Sequence, residues 1–199
     1  MHQIDDPGLP SEYQRVEWIE NKNNQYINTG LNAPEDSEIT VVFQQNQGIA
    51  PYSYEIVFGA YGKNTLIASF AYRKTQYFGR WNNKTTGNIS NTWDGNVHTV
   101  SLSKNGLVFD GSFHALSASG VGTPLDIFLF TWNYMGSPDY TSRGLRMLRY
   151  SVVQSGEKLA DMIPCYRKAD GKTGMYDLVR KEFFTDGRGG DFLLGADVN

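Results

Sequence analysis

The chain has 199 residues and a mass of 22.4 kDa, of which 40% are hydrophobic and 20% charged, with a net charge of −3 and a pI near 5.6. A chain of this length buries roughly 70% of the surface it would expose unfolded, so one full core forms without staples. These values exclude a phosphate-backbone binder, which needs clustered Lys and Arg, and the nearest cluster is Arg143, Arg146 and Arg149 along one predicted strand.

The opening MHQIDDPG, residues 1–8, reads as linker, and residues 9–199 read as one domain. From there the chain is a series of short β-prone runs separated by Gly, Asn and Asp turns. Val16 to Glu20, Gln25 to Thr29, Glu38 to Gln44 and Tyr54 to Ala60 come first. Leu66 to Arg73, Gln76 to Trp81, Val97 to Ser103 and Leu107 to Asp110 follow, then Ile127 to Trp132, Leu145 to Val153, Gly174 to Leu178 and Glu182 to Phe184. Alternation is clearest where His98, Val100 and Leu102 share one face and Val97, Thr99 and Ser101 the other. Asn105–Gly106 then predicts a tight hairpin with positive φ. No window carries a helical period, and many short strands with regular turns predict an all-β sandwich or a barrel.

Cysteine use and hydropathy narrow the class further. The single Cys165, between apolar neighbours in MIPCYR, permits no internal disulfide and no cysteine-based zinc site, and reads as a buried inert thiol. No apolar run approaches the roughly 18 residues of a membrane span, so membrane insertion is not expected. The catalytic motifs fail one by one. The three histidines are too scattered for HExxH, no GxSxG elbow occurs, and Gly171–Lys172–Thr173 has Tyr166 where a phosphate loop requires glycine. GRGG at Gly187–Gly190 has Phe192 in place of the last glycine of a dinucleotide fingerprint. A retaining glycosidase needs two carboxyl groups about 5–5.5 Å apart, supplied on a strand by ExDxxE or ExE, and neither pattern is present. The chain is therefore expected to be non-catalytic, the alternative being a glycosidase whose carboxylates are united only by tertiary contacts. Ca²⁺ is the one cofactor left open, through Asp110, Asp126 and Asp139 beside strands, which read first as turn residues.

The aromatic share of 14%, with 12 Tyr and 4 Trp, exceeds what one core usually needs. Rings with a polar tip suit half-exposed recognition surfaces. Two segments concentrate them. One is the predicted loop of Trp132, Asn133, Tyr134 through Tyr140, after the run ending at Trp132; the other is Arg80, Trp81, Asn82 and Asn83, where a strand runs into a polar loop. An aromatic face stacks on the C–H face of a pyranose while Asn, Asp or Arg hold its hydroxyls. Equally, both segments could be aromatic plugs closing the sandwich edge. His98 reads as a core histidine, and Trp18 and Trp93 as core or edge packing.

Four stretches carry a resemblance. LPSEYQRVEWIENKNNQYINTG (Leu9–Gly30), LFTWNYMG (Leu129–Gly136), RMLRYSVV (Arg146–Val153) and MIPCYRKADGKTGMYDLVRKEFFTDGRGGDF (Met162–Phe192) resemble the laminin-G-like, concanavalin A-like domains of phage tail proteins and gut-bacterial surface proteins. The resemblance implies a two-sheet antiparallel jelly-roll sandwich, often one module of a longer protein, outside the cell, on its surface or on a virion. It also implies recognition of a glycan or polysaccharide rather than catalysis, and contact with other modules of a larger protein. In that comparison Pro164 marks a strand boundary, Gly171 and Gly174 bracket a turn, and Tyr176 and Asp177 anchor the returning strand.

Overall fold

The computed structural model describes residues 8–22, 24–50, 54–63, 66–73, 76–90 and 94–198. Most of the predicted linker, together with Trp93, lies outside the described residues. Among the described residues twenty strands follow one another: β1 (Tyr13–Arg15), β2 (Ile19–Glu20), β3 (Ile27–Asn28), β4 (Ser37–Gln45), β5 (Tyr54–Tyr61), β6 (Ile67–Arg73), β7 (Gln76–Trp81), β8 (Lys84–Thr85), β9 (Ile89–Ser90) and β10 (Val97–Ser103). The series continues with β11 (Gly106–Phe109), β12 (Ser112–Ala115), β13 (Phe128–Leu129), β14 (Trp132–Tyr134), β15 (Ser137–Asp139), β16 (Leu145–Gln154), β17 (Glu157–Arg167), β18 (Thr173–Asp177), β19 (Glu182–Thr185) and β20 (Leu193–Leu194).

They form two sheets. The larger, 11-stranded sheet runs β12-β11-β10-β4-β16-β17-β18-β19, with β1, β2 and β20 attached. The smaller, 9-stranded sheet runs β15-β14-β5-β6-β7-β8, with β3, β9 and β13 attached. Pairing among the described residues is antiparallel except between β14 and β5 and at the bridge from Ile56 to Thr141. The architecture is a two-sheet, largely antiparallel sandwich, which decides between the sandwich and barrel that the short strands left open.

The inner faces meet in one continuous core. Ile39, Val41 and Phe43 of β4, Val100 and Leu102 of β10, and Met147, Tyr150 and Val152 of β16 face Phe58 and Ala60 of β5, Phe70 and Tyr72 of β6, and Tyr77 and Trp81 of β7. Side chains from two sheets interdigitate in this way across a gap of about 10 Å. Phe70 and Tyr77 stack at 5.1 Å, and Phe43 meets each of them at 5.8 Å. His98 belongs to this layer, with Val100 and Leu102. Its ring stacks on Phe109, its Nδ1 lies 2.7 Å from Asp110 and its Nε2 lies 3.0 Å from Asp94. The buried imidazole is thus a core group with both nitrogens engaged.

Three local readings differ from the structure. The hairpin joining β10 to β11 pairs Ser103 with Gly106, so Lys104 and Asn105 are its central residues, and neither Asn105 nor Gly106 has positive φ. Gly106 is instead required by crowding, because a Cβ there would lie 2.5 Å from the Phe113 ring and 2.6 Å from the His114 carbonyl. Pro164 does not bound a strand; it pairs with Met175 in the interior of β17. A proline is tolerated there because β17 passes at that point from β16 to the β1 segment, where Val16 N–H donates to the Pro164 carbonyl at 3.1 Å. The chain after Trp132 is no loop, since Tyr134 and Ser137 pair around Met135 and Gly136. Both central residues have positive φ, 51° and 99°, the backbone of a two-residue hairpin turn.

Candidate functional site

Strands β5 and β6 are buried along almost their whole length, so they are covered on both faces. One face is the core. The other carries a separate apolar cluster of Ile56, Ala71, Phe78 and Trp132, with Tyr54 and Tyr61 packed against it. Alternation along each strand explains its membership. Tyr54 and Ile56, then after a bulge Gly59 and Tyr61, point outward from β5; Ser69, Ala71 and Arg73 do so from β6, and Phe78 and Arg80 from β7.

The rings form a chain of contacts. Trp132 meets Tyr61 at 5.3 Å, Tyr140 at 5.7 Å, Tyr54 at 6.1 Å and Tyr134 at 6.3 Å. Tyr54 meets Tyr140 at 5.2 Å and Phe78 at 6.0 Å, and the Arg80 guanidinium lies 5.1 Å from the Phe78 centroid. Trp132 is 5% exposed, whereas Tyr134 and Tyr140 are 40% and 52% exposed. The tryptophan is therefore the floor of the patch, and the two tyrosines supply its accessible rings. Burial pushes the Tyr54 hydroxyl above its ordinary pKa, although Arg80 and Arg73 nearby oppose the shift.

One transverse row of the sheet gives the patch its polar character. Register places Asp139, Trp132, Gly59, Ser69 and Arg80 side by side on successive strands. Gly59 has φ 155°, and a Cβ there would lie 2.4 Å from Ser69 Cβ and 2.7 Å from the Ala68 carbonyl. Only glycine permits this approach of β5 to β6. In the same row Trp132 Nε1, Ser69 Oγ and Arg80 Nε are buried and have no hydrogen-bond partner. A buried polar group left unpaired costs about 1–3 kcal/mol, and this row holds three such groups, while others, Tyr77 Oη and Gln45 among them, lie elsewhere. Beyond Tyr61 and Tyr134 the patch adjoins an apolar pocket of about 310 Å³ lined by Gly62, Lys63, Leu66, Pro124, Leu125 and Met135.

The structure separates the residues singled out in the sequence. Trp132, Tyr134, Tyr140 and Arg80 share the outer face. Asn133, between two outward rings, turns the other way, where its amide donates to the Asp126 carbonyl at 3.0 Å and accepts from Gly136 N–H at 2.7 Å. It holds the hairpin. Trp81 is 0% exposed in the core, with Nε1 donating to the Gly120 carbonyl at 3.1 Å, so its ring offers no face to a ligand. Asn82 donates to the Ser119 carbonyl at 3.0 Å. These two tie the segment around residues 119–120 to the sheet. Tyr54, Tyr61, Phe78 and Ser69 complete the patch without having been singled out. For Tyr54 and Tyr61 the signal was the run YEIVFGAY, broken only by Glu55 and too apolar for a strand with one wet face; Ser69 and Phe78 join them through register.

Among the described residues no three His, Cys, Asp or Glu side chains gather as a metal site, and Asp110, Asp126 and Asp139 are not brought together. Asp110 serves His98, and Asp139 accepts the Tyr140 N–H at 2.9 Å. No helix among the described residues is long and apolar enough to cross a membrane. The chain matches no protein-family model and no curated protein, so the patch is read from its own geometry.

Proposed function

We propose that this protein is a non-catalytic recognition module of the laminin-G-like, concanavalin A-like kind that binds glycan on the aromatic outer face of its smaller sheet. The observation that carries the reading is the grouping of the half-exposed Tyr134 and Tyr140 rings around Trp132, with the Arg80 guanidinium three strands away on the same face. Aromatic faces stack on sugar C–H groups, and polar groups at their margin fix the hydroxyls. Among the described outward positions of β5, β6, β7, β14 and β15 only Asp139 carries a carboxylate, which disfavours a two-carboxylate hydrolase there. A setting outside the cell or on a virion agrees with such a role.

A glycan-array screen, with and without Ca²⁺, tests the reading on wild type beside Tyr134→Ala and Tyr140→Ala. Binding that either substitution abolishes in folded protein supports it; an array blank for folded wild type overturns it. A second reading, docking of a protein partner within a larger assembly, draws on a different surface. Val97, Val108 and Phe113 are 51%, 37% and 63% exposed on the outer face of β10, β11 and β12, at the free edge of the larger sheet. Loss of partner capture in Phe113→Ser, with glycan binding blank, would favour it.

A further inference from the structure

We propose that the ligand of the aromatic face is an acidic saccharide, a uronic-acid polymer whose carboxylate seats on Arg80; the inference rests on the glycan reading above. Three observations carry it. First, the guanidinium groups of Arg146, Arg149, Arg167 and Arg180 each hold a carboxylate of the protein, whereas Arg80 has no ion-pair partner among the described residues. It is fixed against the Phe78 ring, with Nε buried and unpaired. A fixed planar guanidinium is matched by a planar carboxylate, which accepts two N–H bonds side by side.

Second, the unpaired atoms of the row are donors. Indole Nε1 and guanidine Nε can only donate, and the Ser69 hydroxyl can do so. These atoms lie below the surface, so a ligand meets the row through the exposed part of the Arg80 guanidinium, and an acidic sugar supplies the acceptor it lacks. Third, the charge of the face is one-sided at this end. Arg73 and Arg80 point outward from β6 and β7, and Glu55 lies on the opposite face of β5 from Tyr54. The one outward carboxylate among the described residues of these strands, Asp139, is four strand spacings from Arg80 along the row, about 19 Å, and is turned to the Tyr140 N–H. That length exceeds a single sugar ring, so a chain crossing the strands would place one residue at the tyrosines and another at Arg80.

The test uses polygalacturonate, alginate and hyaluronate, each beside its methyl ester, with dextran sulfate as a bare-charge probe, against wild type, Arg80→Gln and Arg80→Lys. Wild type is expected to bind at least one uronate about tenfold or more tighter than its ester, corresponding to the loss of one charge-assisted hydrogen-bond pair. In Arg80→Gln the preference disappears, acid and ester binding alike, and Arg80→Lys restores only part of it. Equal binding of acid and ester by wild type, or dextran sulfate binding as tightly as the uronates, overturns the inference. Binding confined to neutral glycans also overturns it but leaves the glycan reading standing. A blank across all probes and the neutral array removes both.

Discussion

Trp81 and Trp132 are nearly equally buried, at 0% and 5% exposure, yet their replacement by Phe should have very different consequences. Both substitutions remove similar volume and apolar area, so that contribution largely cancels between them. The difference lies in the indole nitrogen. Trp81 Nε1 donates to the Gly120 carbonyl, so Trp81→Phe loses a hydrogen bond worth about 1 kcal/mol net and leaves a carbonyl short of a donor. Trp132 Nε1 is buried without a partner, so Trp132→Phe relieves a penalty of about 1–3 kcal/mol. Trp132→Phe should therefore be the more stable variant by at least about 2 kcal/mol. For a chain of this size that corresponds to a difference of about 4–8 °C in Tm. Urea unfolding followed by far-ultraviolet circular dichroism, with equal m-values, gives the free energies directly. Equal destabilisation, or a larger loss for Trp132→Phe, would refute the claim that the Trp132 nitrogen is stranded on the outer face.

Other expectations follow from the same geometry. Gly59→Ala places a Cβ against the Ala68 carbonyl and Ser69, and should lose about 2–3 kcal/mol in urea melts; a change within about 0.5 kcal/mol, the range of ordinary surface substitutions, would be incompatible with that contact. Asp161, although burial raises it, is held below its ordinary pKa by hydrogen bonds from Arg149 and Lys158. Its folded pKa lies below the unfolded one, so its stabilisation is full above about pH 4 and fades as pH falls through the folded value. Asp161→Asn should cost about 1 kcal/mol at pH 7, its partners being half-exposed, and the gap to wild type should close at low pH; a gap that widens on acidification contradicts the pairing. Burial pushes the Cys165 thiol up to about 12, so an aromatic disulfide reagent at about pH 8 should react only as fast as the chain unfolds. Complete reaction within minutes in native buffer would place the thiol at the surface.

Period-2 alternation made the sandwich legible, because it identifies an inner face without any knowledge of pairing partners. His98, Val100 and Leu102 point inward as their spacing requires. The same rule, applied to the aromatic segments, would have divided them. Arg80 and Trp81, like Trp132 and Asn133, are neighbours in sequence and therefore on opposite sides of the sheet. Grouping them by proximity in the chain joined core residues to surface ones. The remainder of the patch depends on register. Nothing local in the sequence says that Gly59 sits between Trp132 and Ser69, since β14 joins β5 from a distant part of the chain. β17 escaped notice because its charged start and internal proline lack the signature of a strand, and its pairing to β16 and β18 overrides both.

The most direct test of the aromatic face as the binding site is an indole N–H titration by NMR with the strongest glycan from the array. Binding there should shift the Trp132 indole resonance in proportion to occupancy, while that of Trp81, bonded to Gly120 in the core, stays in place. A ligand that moves the Trp18 or Trp81 resonance and leaves Trp132 untouched would put the site elsewhere on the molecule.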